Sequence, residues 1–275
     1  MLLKDFLPSS ILREYIKYFG IVHFSFSGKE TIPVKAYTPK TGDSIEFFLR
    51  DPEYVSYPDD NKKHKRSSAI IVGQHTLVTN RYVGHEFLFL NINFQPGAFY
   101  RLTGIPSYKL TNTYIDAEAV FPKEIRLINE QLKNARSYTE IITLAESFIL
   151  MLIKQSKKDS HRIDMAAKIL LQSTDHISMD WVAKESCLSS RQFERKFKER
   201  MGIAPALFAR LARFDRAFKM KNATPGKDWL SIAIQCGYHD YQHLVRDYKD
   251  FTALTPTAFF QTDNQAPERI FGLHE

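Results

Sequence analysis

The C-terminal part of the chain contains an internal repeat. Residues 231–256 read SIAIQCGYHDYQHLVRDYKDFTALTP, and residues 181–205 read WVAKESCLSSRQFERKFKERMGIAP. The two stretches align at an offset of 50 residues before a central turn and 51 residues after it, so one extra residue lies at the turn. A repeat at a nearly fixed offset indicates one supersecondary unit that occurs twice.

Each copy predicts a helix-turn-helix. A small residue in the first helix, Ala183 or Ala233, leaves room for a second helix to cross closely. Gly237 can adopt the left-handed backbone that ends a helix. The second helix then opens with a side-chain cap, which is Ser189 or Ser190 in the first copy and Asp240 in the second.

The second helix of each copy carries an apolar stripe at helical spacing. The stripes are Phe193 and Phe197 in the first copy, and Leu244 and Tyr248 in the second. The second helix is predicted to end before Gly202 and Pro205 in the first copy, and before Pro256 in the second. The predicted bounds are residues 190–200 and 240–251 for the two second helices, and 208–220 for a helix that links the copies.

The polar faces of these two helices suit contacts with DNA. Arg pairs with guanine and Gln with adenine, while Lys and Arg neutralise phosphates. The candidate DNA-binding residues are Ser190, Arg191, Gln192, Glu194, Arg195, Lys198, Tyr241, Gln242, His243, Arg246 and Lys249. Asp247 is expected to form an intramolecular salt bridge instead. One such face alone could be the solvated side of a short helix, but two copies at fixed spacing favour DNA reading.

The basic charge is concentrated in the same region. The chain of 275 residues has a formal net charge of +7. Residues 184–221 contain eleven Lys and Arg against four Asp and Glu, so this segment alone accounts for the whole excess. A local surplus of this kind is typical of a surface that contacts nucleic acid.

Residues 161–260 resemble the AraC/XylS family of bacterial transcription regulators. The matching positions are Ile232-Ala233, Gly237-Tyr238, Leu244, Arg246, Tyr248-Lys249 and Thr255-Pro256. The family usually has Phe at the two aromatic positions and Gly four residues before the Pro, where this chain has Thr252. The resemblance implies two helix-turn-helix units on one long helix, which enter successive major grooves of double-stranded DNA, and it implies RNA polymerase as a partner.

The N-terminal part has the pattern of a β-rich domain. Short runs rich in Val, Ile and Phe predict strands at residues 21–26, 44–50, 68–72 and 86–94. The basic run at residues 62–66 is expected to be a solvated loop. Helices are predicted from Pro122 and over residues 138–155. We therefore predict an α+β chain of two domains, 1–155 and 162–262, the second all-α.

The N-terminal domain resembles the sensor domains attached to such regulators, which are cupin-like barrels or sandwiches. The likeness lies in Gly73-Gln74, in residues 94–97 and in the two helices that follow. Seven Phe residues in the strands could fill the core or line a pocket for a small-molecule effector: Phe24, Phe26, Phe47, Phe48, Phe87, Phe89 and Phe94. The apolar stripe of residues 138–155 could likewise pack within its domain or form a homodimer contact.

The residues predict no catalytic site, no metal site and no cofactor. His23, His64, His75 and His85 are scattered, without the His-x-His and Glu cluster of cupin enzymes. Cys187 and Cys236 are expected to be reduced core thiols. The start has no apolar run of a signal peptide, and no stretch suits a membrane helix, so the sequence predicts a cytoplasmic protein.

Two other functions are compatible with this pattern. One is an architectural DNA-binding protein with little sequence preference. The other is an enzyme whose β-rich domain carries out chemistry while the C-terminal domain binds DNA.

Overall fold

The computed structural model describes residues 1–27, 31–57, 60–174 and 177–272. The N-terminal part contains ten strands in these ranges. They are β1 (Leu2–Phe6), β2 (Ile16–Ser25), β3 (Lys35–Tyr37), β4 (Ser44–Phe48), β5 (Tyr54–Tyr57), β6 (Asp60–Lys65), β7 (Ala69–Val72), β8 (Thr79–Tyr82), β9 (Glu86–Phe94) and β10 (Tyr114–Asp116). Three short 3-10 helices lie at Ser10–Leu12, Ser107–Leu110 and Ala117–Ala119.

The strands form two sheets that face each other. One sheet has the order β1-β2-β9-β4-β7-β10 and the other β3-β8-β5-β6, with antiparallel neighbours throughout. Arg81 of the small sheet lies 3.8 Å from Glu46 of the large sheet, so ion pairs join the two inner faces. The predicted α+β class is confirmed. Of the two predicted forms of the N-terminal part, barrel and sandwich, the structure has the sandwich, because the two sheets do not join into one barrel in the described residues.

The basic run is a strand, so the prediction of a loop at residues 62–66 was wrong. β6 pairs with β5, with Tyr54 opposite Lys65 and Val55 opposite His64. Residues 62–65 lie on the edge of the small sheet with exposed side chains, whereas Arg66 follows the strand and its guanidinium is buried against Glu46 and Glu53. Lys on an edge strand is compatible with backbone pairing on one side and discourages pairing on the other.

Two helices cover the large sheet. α2 (Pro122–Asn134) and α3 (Tyr138–Lys154) follow a short α1 (Ala98–Thr103). The stripe of α3, including Ile141, Phe148 and Leu152, is buried in the same core as the large sheet. This packing confirms the first of the two interpretations, in which the stripe packs within its own part of the chain.

The C-terminal part is helical. Its helices are α4 (Arg162–Gln172), α5 (Met179–Glu185), α6 (Ser190–Met201), α7 (Pro205–Ala223), α8 (Trp229–Gln235), α9 (Tyr241–Thr252), α10 (Pro256–Asp263) and α11 (Pro267–Ile270). The two predicted second helices are α6 and α9, each within one residue of its predicted bounds. The linking helix is α7, which extends three residues beyond the prediction at each end.

Candidate nucleic-acid interface

The first helix-turn-helix unit consists of α5 and α6. Ala183 is buried where the helices cross, as predicted. Ser189 is the N-cap of α6: its hydroxyl accepts a hydrogen bond from the amide of Gln192, while the Gln192 side chain accepts one from the amide of Ser189. Phe193 and Phe197 pack into the core beneath, and Phe197 contacts the ring of Phe208 on α7 at 5.2 Å.

The turn of the first unit corrects one prediction. Cys187 is exposed, so only Cys236 is a core thiol. Cys187 has φ +54°, the left-handed backbone that Gly237 adopts in the second unit. Its side chain points outward to the guanidinium of Arg162. The turn geometry places this thiol outside the core, which the local apolar sequence did not indicate.

The second unit consists of α8 and α9. Gly237 has φ +80°, as predicted, and a Cβ at this position would lie 1.7 Å from the carbonyl oxygen of Thr174. The carboxylate of Asp240 caps α9 by accepting a hydrogen bond from the amide of His243 at 2.9 Å. Leu244 and Tyr248 are fully buried, so the predicted stripe faces the core.

The end of α9 corrects a second prediction. Thr252, expected at the place of the family glycine, is still helical, and its hydroxyl donates to the carbonyl oxygen of Tyr248 at 2.7 Å. The left-handed residue is Ala253, with φ +60°. Ala253 lies three residues before Pro256, just as Gly202 lies three residues before Pro205. The residue equivalent to Gly202 is therefore Ala253 and not Thr252.

Most of the predicted reading residues are exposed. On α6, the exposed residues are Ser190, Arg191, Gln192, Glu194, Arg195 and Lys198. Two of them are tied locally, because Ser190 donates a hydrogen bond to Asp180 at 2.7 Å and Gln192 belongs to the cap. Arg191, Glu194, Arg195 and Lys198 are therefore the side chains of α6 best placed to reach outward.

The outer face of α9 exposes fewer of the predicted residues than that of α6. Gln242, His243, Arg246 and Lys249 are exposed, whereas Tyr241 is half-buried against the core. His243 Nδ1 lies 3.0 Å from Asp240 Oδ1, so its ring is held over the start of the helix.

Asp247 lies on the inner side of α9, as expected for a structural salt bridge. It is 4% exposed, and its Oδ1 accepts hydrogen bonds from Arg210 Nε at 3.0 Å and Nη2 at 2.7 Å. The second recognition helix is thereby attached to the linking helix.

A large part of the basic surplus is structural. The guanidinium of Arg200 is buried and donates to both carboxylate oxygens of Asp164 at 2.6 Å. Lys221 donates to the backbone carbonyls of Pro225 and Lys227, each at 2.7 Å. These contacts join residues that have no common sequence pattern, so composition alone overestimated the charge available to DNA.

The C-terminal end of α6 is anchored to the N-terminal sandwich. The hydroxyl of Tyr100 donates to Glu199 at 2.9 Å. The Ser107 hydroxyl lies 3.0 Å from the carbonyl oxygen of Arg200, and Thr111 donates to the carbonyl of Gly202 at 2.8 Å. The sequence carried no signal for these contacts, which fix the direction of the first recognition helix.

One group of metal-type ligands occurs among the described residues. His239, Asp240 and His243 offer ligand atoms within 4.8 Å of one another at the start of α9. Asp240 already accepts the capping hydrogen bond, and the partial positive charge of a helix N-terminus opposes a cation. Both features disfavour a metal ion at this position.

No described helix has both the length and the apolar surface required to cross a membrane.

Comparison with known proteins identifies the C-terminal part. Residues 182–262 match the family described as a helix-turn-helix domain, and residues 4–116 match a domain of unknown function, DUF6597. The first match spans both units. This match supports the resemblance of the C-terminal part to the AraC/XylS regulators.

Two individual proteins are similar to longer or shorter parts of the chain. The transcriptional regulator ArgR of Pseudomonas aeruginosa is 28% identical over 106 residues, which are 38% of this chain and 32% of ArgR. This chain therefore covers about a third of that relative's length. A structure of an apo variant of ToxT from Vibrio cholerae has a TM-score of 0.50 at 10% identity and covers 89% of this chain and 97% of ToxT, so the two-domain fold is shared.

The DNA-binding domain of AdpA, in complex with a target DNA, is also similar. It is 20% identical, covers 38% of this chain and 95% of that domain, and has a TM-score of 0.35.

Proposed function

We propose that the chain is a sequence-specific DNA-binding transcription regulator of the AraC/XylS type, in which α6 and α9 read two successive major grooves. The observation that carries this proposal is the pair of capped helices, each with a buried apolar stripe and an outer face of Arg, Lys and amide side chains. Grooves one helical turn apart are separated by roughly 34 Å. The outer faces differ, so the site for one monomer is asymmetric.

The two faces divide their contacts between bases and phosphates. Arg191, Glu194 and Arg195 contact bases or nearby phosphates from α6, and Glu194 can accept from a cytosine amino group. Tyr241, Gln242, His243 and Arg246 do so from α9. Lys198 and Lys249 contact the DNA backbone, and Ser190 and Gln192 act mainly by fixing the start of α6.

Selection of bound sites from random DNA tests this proposal. Gln242→Ala should change the preference at one position by about 1–3 kcal/mol, because it removes one side chain that reads a base. Lys198→Ala should weaken binding to all sequences alike and reduce the salt slope by about one unit. Lys123→Ala, an exposed lysine on α2, is the matched control and should change neither.

Identical selection profiles for the two test variants would contradict the assignment of roles. A wild-type protein that selects no sequence would favour the architectural alternative, since binding without sequence preference rests on phosphates. We propose no enzymatic role, and the chain acts through binding.

The N-terminal part, residues 1–155, is proposed to control the DNA-binding part, residues 162–262. Its Phe residues have two roles. Phe47 and Phe94 belong to the main core, whereas Phe24, Phe87 and Phe89 border a cleft of about 70 Å³ between the sheets. This cleft supports a small-molecule effector as a partner, with RNA polymerase and a second copy of the chain as further proposed partners.

A thermal-shift screen of the full chain tests the sensing role. A stabilising compound should lose its effect when Phe87→Ala opens the cleft wall, while Leu127→Ala, an exposed residue on α2, should leave the effect intact. A compound that stabilises both variants equally binds elsewhere.

A further inference from the structure

The chain returns to the N-terminal sandwich after its last recognition unit. α10 packs against α9 and β3, and residues 263–272 then continue along the mouth of the cleft. Pro267 and Glu268 form part of the cleft wall together with Val22, Phe24 and Phe87 of the large sheet. We call residues 263–272 the C-terminal strap.

The strap is held by buried charges. Lys35 on β3 lies 3.0 Å from Asp263 Oδ1 and also contacts the carboxylate of Glu268. Arg269 Nη2 lies 3.1 Å from the second oxygen of Asp263. Asp263 is 0% exposed and Glu268 4% exposed, so these carboxylates depend on the two cations for compensation.

An aromatic contact holds the other end of the strap. The ring of Phe271 lies 5.6 Å from Phe24, which lines the cleft, and 4.9 Å from Phe26, which packs in the same cluster as Phe24. Aromatic pairs at these distances stabilise a contact beyond the burial of their surface. The strap thus matches the cleft rim in both charge and apolar surface.

We propose that the cleft rim is a docking surface for the chain's own C-terminal strap, and that docking fixes the second helix-turn-helix unit relative to the first. The first unit has its own anchors in Tyr100, Ser107 and Thr111. In the second unit, the strap adds to three other described contacts: the backbone hydrogen bond from the amide of Val78 to the carbonyl of Phe251, the packing of α10 on β3, and the salt bridge that attaches α9 to the linking helix. Release of the strap therefore removes the ionic and aromatic part of this support and loosens α9 relative to the sandwich.

This inference rests on the proposed reading of two grooves, and two variants test it from opposite ends of the strap. Phe271→Ala removes the aromatic contact, and Lys35→Gln removes the ionic one. In each, tryptic cleavage after Arg269 should accelerate at least tenfold, because the strap leaves the rim. Footprints should retain protection by α6 and lose at least fivefold in protection by α9. Leu127→Ala, an exposed apolar residue on α2, is the control.

Several results would overturn the proposal. One is unchanged cleavage and footprints in both variants. Another is an equal loss of both protected regions in variants that remain folded by circular dichroism. If sedimentation shows that the wild type is a dimer and Phe271→Ala a monomer, the strap docks on a second copy and the intramolecular form is wrong. If the wild type protects only one groove, the two-groove function fails, and the cleavage rates still report on docking.

Discussion

The two helix-turn-helix units place left-handed residues at equivalent positions but with opposite chemistry. In the first unit, the turn has Cys187 and the end of the recognition helix has Gly202, with φ of +54° and +87°. In the second, the turn has Gly237 and the end has Ala253, with φ of +80° and +60°. Each unit therefore has one glycine and one residue with a Cβ in this strained region.

Packing explains why the glycine lies at the end of the recognition helix in the first unit and at the turn in the second. A Cβ on Gly237 would overlap the carbonyl of Thr174, and a Cβ on Gly202 would lie 3.1 Å from Thr111 Oγ1. Cys187 and Ala253 are exposed, so their side chains extend into water. Glycine is thus found where a neighbouring segment approaches the backbone, and a larger residue is tolerated where none does, at a cost of about 1–3 kcal/mol in backbone strain.

Gly237→Ala should have the largest effect. The new Cβ meets a backbone carbonyl that cannot move like a side chain, so the free energy of unfolding should fall by about 4 kcal/mol or more. Urea unfolding measures this loss, and footprints should show that protection by α9 disappears first. The matched variant Gly202→Ala should lose less, because its nearest contact is a hydroxyl. Equal losses would contradict the packing explanation.

The salt bridges that attach the two recognition helices should also differ. Asp164→Asn leaves the buried guanidinium of Arg200 without its ionic partner and should cost about 3 kcal/mol. Asp247→Asn should cost about 1 kcal/mol, because Arg210 is 37% exposed and keeps Asp250 as a partner at 2.6 Å. Urea unfolding of both variants tests the order, and a larger loss for Asp247→Asn would reverse the comparison.

The anchor of the first unit should depend on pH. Burial raises the pKa of Asp43 from 3.8 to about 7, and Ser107 Oγ lies 3.0 Å from both Asp43 Oδ2 and the carbonyl oxygen of Arg200. The single proton of Ser107 cannot serve both acceptors. A protonated Asp43 can donate to Ser107, which then donates to Arg200 at the end of α6.

The sign of the pH effect follows from proton uptake. Between pH 4 and 7 the folded state binds a proton at Asp43 that the unfolded state has released, so stability falls as the pH rises through this window and is flat above it. Asp43→Asn should remove this slope and raise stability at pH 8 by on the order of 2 kcal/mol. Thermal unfolding at pH 5 and 8 measures it, with Asp159→Asn as an exposed control. A slope that survives in Asp43→Asn has another source.

The smallest effects are expected from glycine at the two strained positions. Cys187→Gly and Ala253→Gly should each stabilise the chain by about 0.5–1 kcal/mol, because relief of left-handed strain exceeds the added entropy of the unfolded chain. Thr252→Gly should instead destabilise it, since Thr252 is helical. Chemical denaturation distinguishes the three variants. Stabilisation by Thr252→Gly would show that Thr252, and not Ala253, occupies the position of the family glycine.

The repeat predicted the local design of both units. Ala183, Ala233 and Gly237 have the roles that a close crossing and a left-handed turn require, and these requirements act over a few residues. The periodicity of Phe193 and Leu244 likewise fixed which faces are buried. Such features are readable because local sterics determine them.

Features that depend on distant partners were not predictable in this way. Arg200 is structural because Asp164 lies 36 residues earlier in the chain, and Lys35 meets Asp263 at a separation of 228 residues. The basic strand β6 was missed because an edge position, not its composition, permits pairing there. Tertiary contacts therefore decided which charges remain for DNA.

Hydroxyl-radical footprinting on a DNA site selected by the wild-type chain shows whether α6 and α9 read two successive major grooves. We expect two protected regions on one face of the duplex, about 10 base pairs apart, for a single bound monomer. Gln242→Ala should weaken only the region read by α9, and Arg195→Ala only the region read by α6. One continuous protected half-turn, unaffected by Gln242→Ala, would contradict the reading of two grooves.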